Sequence, residues 1–218
     1  MSPSAHSPTS NAATSVLQVQ DLRFGFAGQW LPLPAQLQIP PGVTWLGGGE
    51  GRGKTSLLRL LAGDLLAPGS SLQLGDVSLH AQPAAYRQRV AWIDPRTVAF
   101  DQVSATQFFQ TTAARYPDWD DALLADLIEA LGLTLHREKP MYMLSTGSKR
   151  KVWLAAALAS GAALTLLDEP FAALDKASIR CVLALLQEAA AHPSRAWVVA
   201  DYEAPLDVPL AQTIDLGD

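Results

Sequence analysis

A single cysteine, Cys181, stands among 218 residues, so no intramolecular disulfide can form and the chain fits a reducing compartment. On a helix, Cys181 reads as a small apolar core residue. No apolar run is long enough for a bilayer. The longest, Val152 to Leu167, is interrupted by Ser160, Gly161 and Thr165, short of the roughly 18 residues a span needs. If the protein works at a membrane, another chain must supply the spans. The beginning lacks a cationic segment followed by an apolar one, so a secretory signal is not expected. Residues Met1 to Ser15 are rich in Ser, Pro, Ala and Thr and read as a disordered tail, in which His6 carries no weight. Positive charge is also scarce: 16 Lys and Arg against 21 Asp and Glu give a net charge of −5. That leaves no electrostatic ground for nucleic acid as the main partner. No internal repeat is visible. What the chain does have is 49% hydrophobic residues, enough to bury one substantial core.

The stretch that organises the rest is Gly48 to Ser56. It reads Gly48, Gly49, Glu50, Gly51, Arg52, Gly53, Lys54, Thr55, Ser56 and follows the apolar run Val43 to Leu46. Glycine, four residues, then glycine-lysine-threonine is the phosphate-loop pattern. Glycines reach positive φ cheaply, so backbone N–H groups can close around phosphate oxygens. A helix beginning near Lys54 points its positive end at the same anion. Lys54 is expected on the β- and γ-phosphates, and the Thr55 hydroxyl on Mg²⁺. A glycine-rich turn that binds nothing is the bland alternative. The strand before it and the helical spacing of Ser56 to Ala62 after it favour a nucleotide.

Alternation predicts strands over Leu17 to Phe26 and Gln36 to Ile39, the latter ended by Pro40-Pro41-Gly42. A hairpin is expected at Ser71 to Leu74 and Val77 to Leu79 around Gly75-Asp76. Val90 to Ile93 is a short buried strand closed by Asp94-Pro95. From about Thr97 to Met143 the texture becomes helical, with helices over Ala105 to Ala114 and Trp119 to Leu131. Asp118 or Asp120 is placed to cap the second, and Gly132 to end it. An apolar helix over Ser148 to Ala159, a strand at Leu164 to Leu167, a helix over Lys176 to Ala191 and strands at Ala196 to Val199 and Thr213 to Leu216 complete the chain. Alternating strands and helices predict an α/β fold: a three-layer phosphate-loop core on a mostly parallel sheet, with a small antiparallel β region. The expected organisation is one domain over 16–218, with an αβ core of 16–96 and 144–218 and a helical subdomain over about 97–143.

Thr165-Leu166-Leu167-Asp168-Glu169 is an apolar strand ending in two carboxylates. Asp168 is placed to hold Mg²⁺ through its waters. Glu169 points differently and is placed to act as general base on the attacking water. An ordinary acidic turn is the competing account, weakened by the phosphate loop upstream.

With both halves present, the chain from Leu17 onward resembles the ATP-binding cassette family. Leu144-Ser145-Thr146-Gly147-Ser148, ahead of an apolar helix, is similar to the family's signature loop. Phe171 to Asp175 is similar to its D-loop, with Leu174 and Asp175 matching. Phe26 falls where the family places a ring that stacks on adenine, and that role is favoured over a place in an early strand's core. The resemblance implies a head-to-tail dimer, of two identical or two different subunits, with ATP and Mg²⁺ at the interface. Ser145, Thr146, Gly147 and Ser148 of one copy would then face the nucleotide held by Lys54 of the other. Lys149-Arg150-Lys151, by contrast, reads as a solvated face.

Departures are as specific as the matches. The signature has Thr146 and Ser148 where glycine and glutamine are usual. The glutamine expected after the Val90 to Ile93 strand is replaced by Asp94-Pro95-Arg96, and Gln102 comes several residues too late. The histidine expected after Ala196 to Val199 is replaced by Asp201-Tyr202. His192 falls before the strand, and His80 and His136 lie elsewhere and read as surface residues. An ionised Asp201 would repel a γ-phosphate. Binding is expected to survive these changes, while hydrolysis is slowed or wired differently.

The resemblance implies the ATPase subunit of a membrane transporter, cytoplasmic and held at the inner membrane face by a separate transmembrane permease. The helical insert is then its docking surface, with Phe108, Phe109, Tyr116 and Trp119 lining either a groove or the insert's own core. A nucleotide-gated regulatory module with little hydrolysis is the main alternative. A soluble family member outside transport comes third, because long coiled-coil inserts and a second cassette are absent from these residues.

Overall fold

Strand directions and hydrophobic alternation divide the chain into two sheets. The computed structural model describes residues 15–26, 29–30 and 34–217; the tail expected over 1–15 lies outside them except for Ser15. The main sheet is five-stranded, in the order β11-β5-β10-β9-β8. Its members are β5 (Gly42–Gly47), β8 (Val90–Ala91), β9 (Leu164–Asp168), β10 (Ala196–Ala200) and β11 (Leu210–Asp215). All four pairings are parallel. The second sheet is antiparallel, in the order β4-β1-β6-β7, from β1 (Leu17–Gln20), β4 (Leu37–Ile39), β6 (Ser71–Leu74) and β7 (Val77–Ser78). A further pair joins β2 (Gly25–Phe26) to β3 (Gln29–Trp30).

Both faces of the parallel sheet are buried, as a run such as Ala196–Ala200, wholly buried, requires. Alternate residues feed two cores. Leu46, Leu166 and Val198 pack with helix α1 (Lys54–Leu61) and the antiparallel sheet. Val43, Leu167, Trp197 and Val199 pack on the other side with α5 (Thr146–Ala159) and α6 (Lys176–Ala189). Short helix α2 (Pro83–Gln88) leads into β8. No helix is expected there from the sequence pattern, and Pro83 sits at its first position. Proline is at home in a first turn, where its missing N–H costs nothing.

The strand expected over Leu17 to Phe26 stops at Gln20, because Asp21 turns the backbone to a φ of +54°. The last strand begins earlier than expected, at Leu210. Cys181 is half-buried on α6.

The helical segment carries α3 (Ala105–Ala113) and α4 (Asp121–Ala130). Asp120, not Asp118, caps α4, accepting from the Leu123 amide at 2.9 Å. Phe108, Phe109 and Tyr116 are buried and Trp119 partly so. The Phe108 ring meets Trp153 of α5 edge-on, with centroids 4.8 Å apart. Phe108 therefore fastens the insert to α5, and all four aromatics pack in or against the core on that side of the sheet. Among the described residues, the exposed large apolar side chains of this segment are Val98, Leu135, Tyr142 and Met143.

Candidate functional site

Parallel strands deliver their carboxyl ends to one edge of the sheet, where crossover loops leave a crevice. Here β5, β9 and β10 bring Gly48, Asp168 and Asp201 to that edge side by side. The turn after β5 needs three left-handed glycines: Gly48, Gly51 and Gly53 have φ of +140°, +73° and +96°. A Cβ on Gly48 would also crowd Leu216 and the Gly217 carbonyl. That carbonyl accepts from the Gly49 amide at 2.9 Å, so the end of the chain supports the loop, a contact no local motif announces.

Lys54 opens α1 and is 6% exposed. Its ammonium donates to the Gly48 carbonyl at 2.5 Å and the Gly49 carbonyl at 2.9 Å. The ring of Tyr202 covers it at 4.1 Å. One residue on, the Thr55 hydroxyl donates to Asp168 Oδ2 at 2.8 Å, joining the two motifs that lie 113 positions apart. Among the described residues no cluster of three or more His, Cys, Asp or Glu could hold a metal. One hydroxyl and one carboxylate, beside a loop built for phosphates, is the sparse donor set that Mg²⁺ accepts, since it keeps waters and takes the rest from the nucleotide. The residues fit that ion.

Burial pushes the Asp168 carboxyl above its ordinary value of 3.8; the Thr55 hydrogen bond works against this, and nearby Glu169 adds to it. Burial and Glu169 raise Asp201 in the same way. Both carboxyls bind a proton more tightly folded than unfolded. Their contribution to stability is therefore complete below the unfolded value and lost as pH rises through the folded one. At neutral pH without metal they cost stability. Asp168→Asn, which keeps an acceptor for Thr55, is expected to raise the melting temperature in EDTA at pH 7, with the gain shrinking towards pH 4. Thermal unfolding at the two pH values checks this.

Glu169 has a φ of +46° and donates its amide to the Ala200 carbonyl at 2.8 Å. Asp94, at the position of the expected glutamine, pairs with Arg96 at 3.1 Å. The carboxylates of Asp94, then Asp168 and Glu169, hold the Arg96 guanidinium more firmly charged. Gln102 is exposed. Asp201 stands at the expected histidine position, its amide on the Leu46 carbonyl at 3.2 Å. His192 instead accepts from the Arg195 amide at 2.9 Å. The role expected of the Phe26 ring lies outside the described residues.

Ser145 caps α5, accepting from the Ser148 amide at 3.1 Å, and Ser145 and Thr146 are exposed. Gly147 lies against the D-loop, where a Cβ would run into the Ala173 carbonyl. Asp175 caps α6 through the Ser178 amide at 2.9 Å. The three cations after the signature are not the solvated face expected of them. Lys149 pairs with Asp101 at 2.6 Å and Lys151 with Asp175 at 2.5 Å. Arg150 reaches the carbonyls of Asp168 and Glu169. A helix packed behind the site turns its polar stripe inward, which a three-residue charge run cannot reveal.

Residues 34–172 match the family model described as ABC transporter. The chain belongs to that family. It is 34% identical over 183 residues to the cytochrome c biogenesis ATP-binding export protein CcmA of Pseudomonas syringae pv. syringae, covering 83% of this chain and 85% of that one. It is 31% identical over 215 residues to the phosphonates import ATP-binding protein PhnC of Chromohalobacter salexigens, covering 90% of this chain and 77% of that one. A solved ATP-binding subunit of an ABC transporter superposes with a TM-score of 0.75 at 22% identity, covering 86% and 80% of the two chains. The parallel sheet, the small antiparallel sheet and the helical segment are thus the ABC fold. As in an ATP-binding subunit without spans of its own, no helix among the described residues is long and apolar enough to cross a membrane.

Proposed function

We propose that this ABC protein is the ATP-binding subunit of a membrane transporter, that it hydrolyses MgATP, and that closure of a pair of subunits around the nucleotide drives transport. The hydrogen bond between Thr55 and Asp168 carries the reading, because it sets the phosphate loop and the paired carboxylates at one site. Gly48 to Ser56 supply amides to the phosphates, and Lys54 supplies a charge-assisted donor to the β- and γ-oxygens. Mg²⁺, held by Thr55 and through water by Asp168, would neutralise charge on the phosphates. Glu169 takes the proton of the water that attacks the γ-phosphorus as the bond to the bridging oxygen breaks. Ser145 and the amide end of α5 are exposed and free to meet the phosphate of a second copy, at an end of the helix whose dipole favours an anion. Exposed Val98, Tyr142 and Met143 give the insert apolar side chains for a permease that anchors the protein at the cytoplasmic face of the membrane.

Asp201 favours a second reading. A carboxylate in place of histidine beside Lys54 lends no positive charge to the transition state, as expected of a module that closes on ATP and rarely cleaves it. Binding of MgATP by titration calorimetry, followed by phosphate release with and without the membrane partner, decides. Absence of binding removes both readings. Binding without release in either condition leaves the regulatory module.

A further inference from the structure

We propose that Arg150 is a positioning residue for Glu169, resting on the ATPase reading above. Arg150 lies on α5, five residues after the capping Ser145. Its guanidinium leaves the helix towards the end of β9, where Nη1 donates to the carbonyl of Glu169 and, at 3.3 Å, to that of Asp168. The chain turns sharply there. Glu169 is held at a φ of +46°, a left-handed backbone that costs a non-glycine residue about 1–2 kcal/mol and persists only where the surroundings over-determine it. Three contacts do so. The Glu169 amide is fixed by the Ala200 carbonyl at 2.8 Å, and its carbonyl accepts from the Ala172 amide at 3.1 Å and from Arg150, which ties the turn to α5. With both peptide groups pinned, the direction of the Cα–Cβ bond is set, and with it the aim of the carboxylate.

No hydrogen bond to protein holds the Glu169 carboxylate itself among the described residues, so the backbone is what positions it. A base must stand within hydrogen-bond reach of its proton, and a displacement of about 1 Å can cost roughly a hundredfold in rate. One nitrogen of the planar guanidinium serves both carbonyls; an ammonium offers one compact charge on a more flexible stem. Arg150 also helps keep Asp201 ionised against its burial. Its flanking residues hold other segments, Lys149 on Asp101 and Lys151 on Asp175. Of these three cations, Arg150 is the one that reaches the Asp168-Glu169 turn. The helix that presents Ser145 to a second copy therefore also holds the general base of its own copy, and a shift of α5 on closure would be felt at Glu169.

The test uses the full chain with Arg150→Ala and the milder Arg150→Lys, which keeps the charge should the alanine variant fold poorly. Steady-state phosphate release is expected to show kcat reduced about 10- to 100-fold in Arg150→Ala, an intermediate loss in Arg150→Lys, and the KM for ATP unchanged within about threefold. Millimolar guanidinium should restore part of the Arg150→Ala rate and none of the Glu169→Gln rate. Deuterium uptake should rise in the peptide spanning 168–175 and stay unchanged over 54–61. An unchanged kcat, a KM rising in step with the fall in kcat, or unaltered uptake over 168–175 overturns the proposal. If the unmutated protein releases no phosphate, the ATPase reading falls, and uptake over 168–175 alone decides for or against Arg150 as the clamp.

Discussion

Glu169→Gln is expected to lower phosphate release about 10²- to 10⁴-fold, the usual contribution of a positioned base, while ATP affinity stays within a few-fold. The backbone contacts that define the turn belong to the main chain of Glu169 and survive the substitution. The carboxylate accepts no hydrogen bond from the described residues, so its loss leaves no partner unsatisfied. The side chain is near enough to raise the pKa of both Asp168 and Asp201. Removing its charge relieves that repulsion, and the melting temperature without nucleotide should not fall. Closure without cleavage should follow: with ATP the variant should elute as a pair, which light scattering reads directly. Unreduced phosphate release would shift the base to Asp201, the carboxylate at this edge of the sheet not assigned to Mg²⁺, and Asp201→Asn would then carry the loss.

What the sequence could disclose follows from where each interaction lies along the chain. The phosphate loop is written in nine consecutive residues, because a backbone nest needs its glycines in order. The Asp168-Glu169 turn was legible for a similar reason, as an apolar strand ended by charge. A cap at Asp118 or Asp120 is legible because capping acts over three residues, and the Leu123 amide chooses Asp120. Arg150 was misread. Its partners are carbonyls 18 and 19 positions away, and main-chain acceptors leave no trace in side-chain type. In the sequence Tyr202 is only a neighbour of the place where a histidine is missing; its ring meets an ammonium 148 positions earlier in the chain, which no spacing rule encodes. Gly217, which supports the loop across the sheet edge, is invisible for the same reason. Burial of Phe108 and Phe109 could not be separated from an open groove, because both demand the same apolar pattern.

Opposite outcomes are expected from two substitutions at one ammonium. Lys54→Ala should weaken ATP binding about 10²- to 10⁴-fold, since it removes two charge-assisted hydrogen bonds to phosphate, each worth about 1.5–3 kcal/mol. The fold should remain, because the carbonyls of Gly48 and Gly49 lie in a loop whose glycine geometry is set by the backbone. Tyr202→Ala should instead tighten binding. Without nucleotide the Lys54 ammonium is shared between two loop carbonyls and the Tyr202 ring at 4.1 Å, and an incoming phosphate must displace the ring. A contact of this kind is worth about 0.5–2 kcal/mol, so its removal should improve affinity about 2- to 30-fold. Tyr202→Phe keeps the ring and should bind as the unmutated protein does, which separates the aromatic face from the phenol hydroxyl. Tripolyphosphate, which has no adenine, should show the same gain in a calorimetric titration, because the competition is at the phosphate end alone. If Tyr202→Ala weakens binding, the ring aligns Lys54 for phosphate and does not shield it, and the sign of that one titration decides between the two roles.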